Sequence, residues 1–308
     1  MRNRVPIFVA LLLCGLSGLT TTGQQAPPVQ SNRTIRVDVD LVLINVTVTD
    51  SRNRFVEDMS KEHFRVFEDK VEQEILTFSN EDAPVSLGIV FDRSGSMGGG
   101  RASANLPLGF RGRLDEMRST AYSCLKGALR DDEYFLLEFS DSPQVVADFT
   151  NDLTNLKERL LFVGANGRTA LWDAIYSGVA KVREGTHARK ALLVLTDGQE
   201  NNSRYTLGQL KSVLREEDVR IYSYGPDVQF DGLNSLSEIS GGRVFRSSSP
   251  CKELEAELRT QYVLGYRPTN RSKDGEFRKV SVRVNTDSLP KSISGLTVRA
   301  RQGYYATP

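Results

Sequence analysis

A chain of 308 residues exceeds one small module, and at roughly 100–200 residues per domain it has room for two domains or for one domain with an appendage. Its composition, 39% hydrophobic, 26% charged and 8% aromatic, is ordinary globular usage and excludes a mostly disordered, collagen-like or polytopic membrane chain. Forty Lys and Arg against thirty-nine Asp and Glu leave no whole-molecule attraction for nucleic acid or anionic lipid, and with only two histidines and three cysteines any metal site should be built from oxygen.

Residues 1–23, MRNRVPIFVALLLCGLSGLTTTG, set Arg2 and Arg4 ahead of an apolar run from Val5 to Leu19, followed by small and polar residues. This is the pattern of a secretory signal peptide cut before Gln24, with an uncleaved anchor as the competing reading and a Cys14 lipoprotein disfavoured by the bulky Leu13. The mature chain is then expected to be secreted or periplasmic, with no membrane span. Losing two basic residues and no acidic one, it stays near neutral. It keeps Cys124 and Cys251 in a compartment that permits disulfides. Whether they bond is open: Cys124 falls well along one helical pattern and Cys251 in the first turn of a distant one, so their Cα separation is expected to exceed the reach of about 7 Å. Residues 24–32, QQAPPVQSN, read as a linker.

Residues 33–83 are mostly β. In Ile35–Thr49 the alternation Val37, Val39, Leu41, Leu43 changes phase to Ile44, Val46, Val48, which predicts a strand with a bulge or kink. Further strands are predicted at Phe64–Glu68 and Ile75–Phe78, with Asp69–Glu74 as a polar turn. From residue 84 the character changes. SLGIVFD and KALLVLTD are near-continuous apolar runs ending in Asp, as parallel strands buried on both faces require, and VRIYSYG is a third. Helical spacing recurs at Leu114, Met117, Ala121, Leu125 and Ala128, and at Leu207, Leu210, Val213 and Leu214. EYFLLEF and QVVADF around SDSP predict a hairpin that adds an antiparallel edge strand. The fold class is therefore α/β: residues 84–260 form a doubly wound, mostly parallel sheet flanked by helices. After Lys252–Arg259, residues 261–308 return to β alternation at Tyr262, Leu264 and Tyr266, then Val280–Val284 and Leu296–Ala300. Neither β segment can bury a face alone, so the two are expected to pack as one β-sandwich with the α/β domain inserted between them.

Asp92, Ser94 and Ser96 fall in D-R-S-G-S at the carboxyl end of SLGIVF, the place where open α/β sheets bind ligands. An oxygen donor at every second residue of a loop points one carboxylate and two hydroxyls toward one place, which suits a hard cation. Thr169, where a loop enters a helix, and Asp197, at the end of another buried strand, supply a fourth and a fifth oxygen. Each piece has a plain alternative: loop and helix-entry amides for the serines, an N-cap for Thr169, and an Asp–Gly turn for Asp197. His63 and His187 read as ordinary histidines, and Trp172 and Asp173 as helix packing and dipole support. Gly98–Gly100 lacks the P-loop pattern.

These residues resemble the von Willebrand factor type A family over roughly residues 85–260. The family's metal-ion-dependent adhesion site has the pattern D-x-S-x-S, then Thr, then Asp, which falls here on Asp92, Ser94, Ser96, Thr169 and Asp197. The resemblance implies a bound divalent cation, Mg²⁺ or else Mn²⁺ or Ca²⁺, completed by a partner's Glu or Asp. The whole chain is also similar to a secreted bacterial subgroup through its V-x-V-T-D, F-x-V-F-E-D, Y-x-L-G-Y-R-P and R-x-G-Y-Y-A segments. It departs from the family in the long stretch GGGRASANLPLGFRG over Gly98–Gly112, which either shapes a partner's landing place or is a tolerated insertion. The function expected is a secreted metal-dependent protein-binding module, for adhesion or scaffolding, that captures an acidic residue of a partner. The alternatives are a hydrolase or phosphoryl-transfer enzyme using the same ion, for which no general base is apparent near the motif, and a structural envelope protein.

Overall fold

The computed structural model describes residues 41–98, 112–127, 131–225, 231–247, 249–286, 289 and 294–306. The leader, the linker, Val37, Val39, Ala128 and most of the Gly98–Gly112 stretch lie outside them.

The first β segment contributes β1 (Val42–Thr49), β2 (Phe64–Glu68), β3 (Val71–Gln73) and β4 (Ile75–Ser79). The middle runs β5 (Val85–Asp92), α1 (Arg113–Lys126), β6 (Glu133–Phe139), β7 (Pro143–Thr150), α2 (Leu153–Leu161), α3 (Leu171–Val182) and β8 (Arg189–Leu195). It continues through α4 (Leu207–Glu216), β9 (Arg220–Tyr224), α5 (Asp231–Ser240), β10 (Arg243–Phe245) and α6 (Pro250–Arg259). The chain closes with β11 (Tyr262–Tyr266), β12 (Phe277–Val284), β13 (Thr297–Arg299) and β14 (Gly303–Tyr305). Among the described residues no helix is long and apolar enough to cross a membrane.

The central sheet has the order β10-β9-β8-β5-β6-β7, parallel except for β7, which runs antiparallel to β6 at the edge. All eight residues of β5 are buried, because helices cover both faces. One face packs Leu87, Ile89 and Phe91 against Met117, Ala121 and Leu125 of α1, Leu156 and Leu160 of α2, and Leu254 and Leu258 of α6. The other packs Val90, Leu192 and Val194 against α3, α4 and α5. Gly88 makes this layer possible: a Cβ there would run into the Phe135 ring and lie 2.6 Å from Leu192 Cδ2.

The outer segments form two four-stranded antiparallel sheets, β13-β1-β11-β4 and β14-β12-β2-β3, each drawing strands from both ends of the chain. They share a core of Ile44, Val46 and Val48 from β1, Phe64 and Val66 from β2, Tyr262, Leu264 and Tyr266 from β11, and Val280 from β12. β1 holds an unbroken register against β11; the irregularity lies between Gly265 and Tyr266, opposite β4. The expected turn at Asp69–Glu74 contains β3, because Asp69 and Lys70, both at positive φ (47° and 73°), close a two-residue hairpin.

The chain leaves β4 at Ser79 and enters β5 at Val85, and leaves α6 at Arg259 and enters β11 at Tyr262, so two short connections tie the small sheets to the α/β unit. Side chains reinforce them. Arg220 of β9 donates to Thr47 Oγ1 of β1 at 3.0 Å, and Arg189 to the carbonyls of Glu81 (2.6 Å) and Leu258 (3.2 Å). The fully buried Glu257 of α6 stands between Arg243 (2.7 Å) and Arg299 of β13 (3.1 Å).

Cys124 and Cys251 form a disulfide with Cα atoms 4.6 Å apart, which corrects the expectation that they lie too far apart. They are distant in sequence, but α1 and α6 are neighbours on one face of the sheet.

Candidate functional site

In the order β8-β5-β6, the chain goes from β5 to one neighbour and later returns on the other side, so the carboxyl ends of β5 and β8 flank the crevice where the order reverses. The register Phe91↔Leu195 sets Asp92 beside Thr196 across that crevice. Asp92 is fully buried, and both of its oxygens are held: Oδ1 accepts from the Ser94 amide at 2.8 Å and Oδ2 from Thr196 Oγ1 at 2.6 Å. Thr196 Oγ1 in turn accepts from the Gly198 amide at 3.0 Å. Burial pushes the Asp92 carboxyl up to about 6; hydrogen bonds from Ser94 and Thr196 oppose that shift, and the nearby Asp197 adds to it.

Ser94 precedes and Ser96 lies on a 3₁₀ turn, Gly95–Gly98, with Ser94 Oγ and Ser96 Oγ 3.1 Å apart. Asp197, also buried, accepts from the Gln199 amide at 3.2 Å and from Arg113 Nη1 at 3.3 Å. Arg113 is the first residue of α1, which begins just beyond the long insertion. The loop carrying Thr169 is stitched to the other two by backbone bonds: Gly95 N–H to Gly167 O (2.9 Å), Asn166 N–H to Arg93 O (2.8 Å), and the Asn201 and Asn202 amides to Thr169 O (3.0 and 3.1 Å). Asn201 Oδ1 accepts from the Thr169 amide at 3.0 Å.

Thr169 does not cap α3. The N-cap is Ala170, and the first amides of the helix are taken by Glu200 Oε2 and Ser203 Oγ, which accept from Trp172 N at 3.1 and 2.9 Å. Asp173 does more than face a helix dipole: it is buried and accepts from the Arg204 and Tyr205 amides at 2.9 and 3.0 Å, fixing the loop that follows Asp197. His63 Nδ1 accepts from the Ser60 amide at 3.0 Å.

Thr196, Arg113 and Asn201 are the contributors that sequence reasoning missed. Thr196 stands beside Asp197 in L-T-D-G, where its hydroxyl reads as strand-end polarity until the β5–β8 register is known. Arg113 is 84 residues from Asp197, and no local signal links the two.

Residues 87–199 match the von Willebrand factor type A domain. The matched stretch runs from β5 to just beyond β8 and covers about a third of the chain. It is similar in structure to the protein BatB from Bacteroides thetaiotaomicron, at 16% identity and a TM-score of 0.46 over 56% of this chain and 97% of that one. It is also similar to the PilB minor pilin from Streptococcus sanguinis, at 14% identity and a TM-score of 0.45 over 57% and 60% of the two chains. Proximal thread matrix protein 1 from the mussel byssus matches at 18% identity and a TM-score of 0.46 over 62% and 51%. No curated protein matches the chain significantly.

The resemblance to type A domains implies a divalent cation, and the chemistry of the donor set is compatible with one. Among the described residues, the hydrogen-bond donors to Asp92 include no cationic side chain, and the one cationic donor to Asp197 is the half-exposed Arg113 guanidinium. Two serine hydroxyls lie at the same loop. Among the described residues no three His, Cys, Asp or Glu side chains converge, so an ion here would draw largely on hydroxyl oxygen and water.

Proposed function

We propose that the protein is an exported, metal-dependent protein-binding module in which Asp92, Ser94, Ser96, Thr169 and Asp197 hold a divalent cation, Mg²⁺ by its tolerance of hydroxyl and water ligands, that captures an acidic residue of a partner. In this reading the outer sheets form a β-sandwich, and the α/β domain of residues 84–260 is an insertion in it. The export signal at residues 1–23 and the Cys124–Cys251 bond both suit a compartment where disulfides persist.

The observation that carries the reading is the state of Asp92: a carboxyl desolvated at the end of a buried strand, beside a second carboxylate, with hydroxyls but, among the described residues, no cationic side chain donating to it. Such a group gains strongly from a cation. The ion would supply positive charge at the crevice, while the residues around it fix the loops that present it. With few charged ligands that charge is under-neutralised, and a partner's carboxylate gains on joining it.

Titration of the metal-stripped chain with Mn²⁺, read by the loss of the free-ion EPR signal, tests the reading. One bound ion is expected, released by excess Mg²⁺ and lost in Asp92→Ala. Equal Mn²⁺ uptake by wild type and Asp92→Ala, or none by either, refutes the assignment.

A further inference from the structure

The two most exposed large apolar side chains among the described residues are consecutive: Leu161 at 57% and Phe162 at 86%. Their place in the fold is informative. β6 runs parallel to β5, β7 runs back, and α2 returns toward the carboxyl end of the sheet, so Leu161 and Phe162 lie at the same end as Asp92. Three residues beyond Phe162, at most about 11 Å of chain, Ala165 packs on Gly98, and Asn166 bonds to Arg93 O at 2.8 Å. The segment is also fixed from beneath, since Arg118 of α1 donates to Val163 O and Val163 is buried in the core shared with α1 and α2. An apolar pair is therefore held open to solvent on a rigid support beside the candidate cation site.

Charge indicates what would cover it. Arg113 leans on Asp197, so a dication held between Asp92 and Asp197 has its charge balanced by two carboxylates, one of them already shared with a guanidinium. The site then carries a net positive charge and selects an anion. We infer, building on the function proposed above, that the partner segment carries a large apolar residue within a few positions of its Asp or Glu, and that this residue seats on Leu161 and Phe162 while the carboxylate takes the ion. The occupant is a protein segment with an acidic and apolar pair.

Selection from a random peptide phage library in Mg²⁺ tests this with wild type, the Leu161→Ser/Phe162→Ser double variant and Asp92→Ala. Both substituted side chains are exposed, so an unchanged melting temperature is the control for folding. Wild type is expected to enrich Asp or Glu with Phe, Leu, Met or Trp a few positions away. The double variant should keep the acidic residue and lose the apolar one, and the best wild-type peptide should bind it about tenfold more weakly or worse. The same apolar preference in both proteins, or acidic enrichment alone in wild type, overturns this inference and leaves the cation reading standing. Apolar enrichment that survives EDTA and Asp92→Ala, or no enrichment at all, also overturns this inference, while the cation reading is decided separately by Mn²⁺ binding to the same wild-type preparation.

Discussion

Opening the bond between Cys124 and Cys251 frees a loop of 127 residues, from α1 through most of the central sheet to α6. In the chain-entropy account, closing a loop of that length removes about 5 kcal/mol of freedom from the unfolded chain at 25 °C. Against a total stability of roughly 5–15 kcal/mol for a folded domain, that is a large share. The perturbation is Cys124→Ala with Cys251→Ala, a small change in packing because Cys124 is only partly buried and the α1–α6 contact retains Met117, Ala121, Leu125, Leu254 and Leu258. The assay is urea unfolding followed by tryptophan fluorescence, since Trp172 on α3 lies outside the α1–α6 contact, with wild type in reducing agent as the second arm. With an m-value near 3 kcal/mol/M, both arms should unfold about 1.5–2 M earlier than oxidised wild type. A midpoint within about 0.3 M of oxidised wild type in both arms, at unchanged m, refutes the reasoning. A shift in the double variant without one in reduced wild type would locate the effect in side-chain packing instead of the loop.

Gly88→Ala should destabilise by about 1–3 kcal/mol, because the added methyl meets Phe135 and Leu192, neighbours of Gly88 in one filled layer of the core; calorimetry in the presence and absence of metal checks it, and an unchanged melting temperature contradicts the packing described. Glu257→Ala should be worse, at about 3–5 kcal/mol, since it strands the Arg299 guanidinium at a buried position and leaves Arg243 with Glu253 alone, whereas Glu257→Met with Arg299→Met should recover much of the loss; chemical denaturation of both distinguishes a stranded charge from a simple cavity. In EDTA, Asp92 is raised from 3.8 to about 6 in the folded chain, so its neutral form is favoured there. The sign follows: its contribution is fully present below about pH 4 and is lost as pH rises through 6, a swing of about 3 kcal/mol. Asp92→Asn should flatten that part of the profile and be the more stable protein at pH 7 in EDTA. Parallel profiles for the two would contradict the burial argument.

The central strands were legible because burial on both faces leaves no polar phase: SLGIVFD and KALLVLTD admit no other reading, and β5 and β8 are where those runs place them. The edge strand β7 was legible from its hairpin. α2 and α5 escaped notice for different reasons. LTNLKERLL carries a real start signal, the Asp152 side chain accepting from Thr154 N, but is only nine residues long. DGLNSLSEIS has weak intrinsic preference for helix and is held by burying Leu233, Leu236 and Ile239 against the sheet. The candidate donors could be read one loop at a time, since each ends a strand or begins a helix. What joins them, Thr196 across to Asp92 and Arg113 onto Asp197, depends on strand register and helix placement, which no local pattern encodes.

The two short connections between the outer sheets and the α/β unit enter at Val85 and leave at Arg259, at the end of the sheet away from Asp92. A pull on anything attached at the Asp92 end is therefore directed along β5, whose eight residues span about 26 Å between anchorage and crevice. β5 is hydrogen-bonded along its length to β6 on one side and β8 on the other. Tension along that axis loads both ladders in shear, so their bonds share the force and must fail together instead of opening one by one.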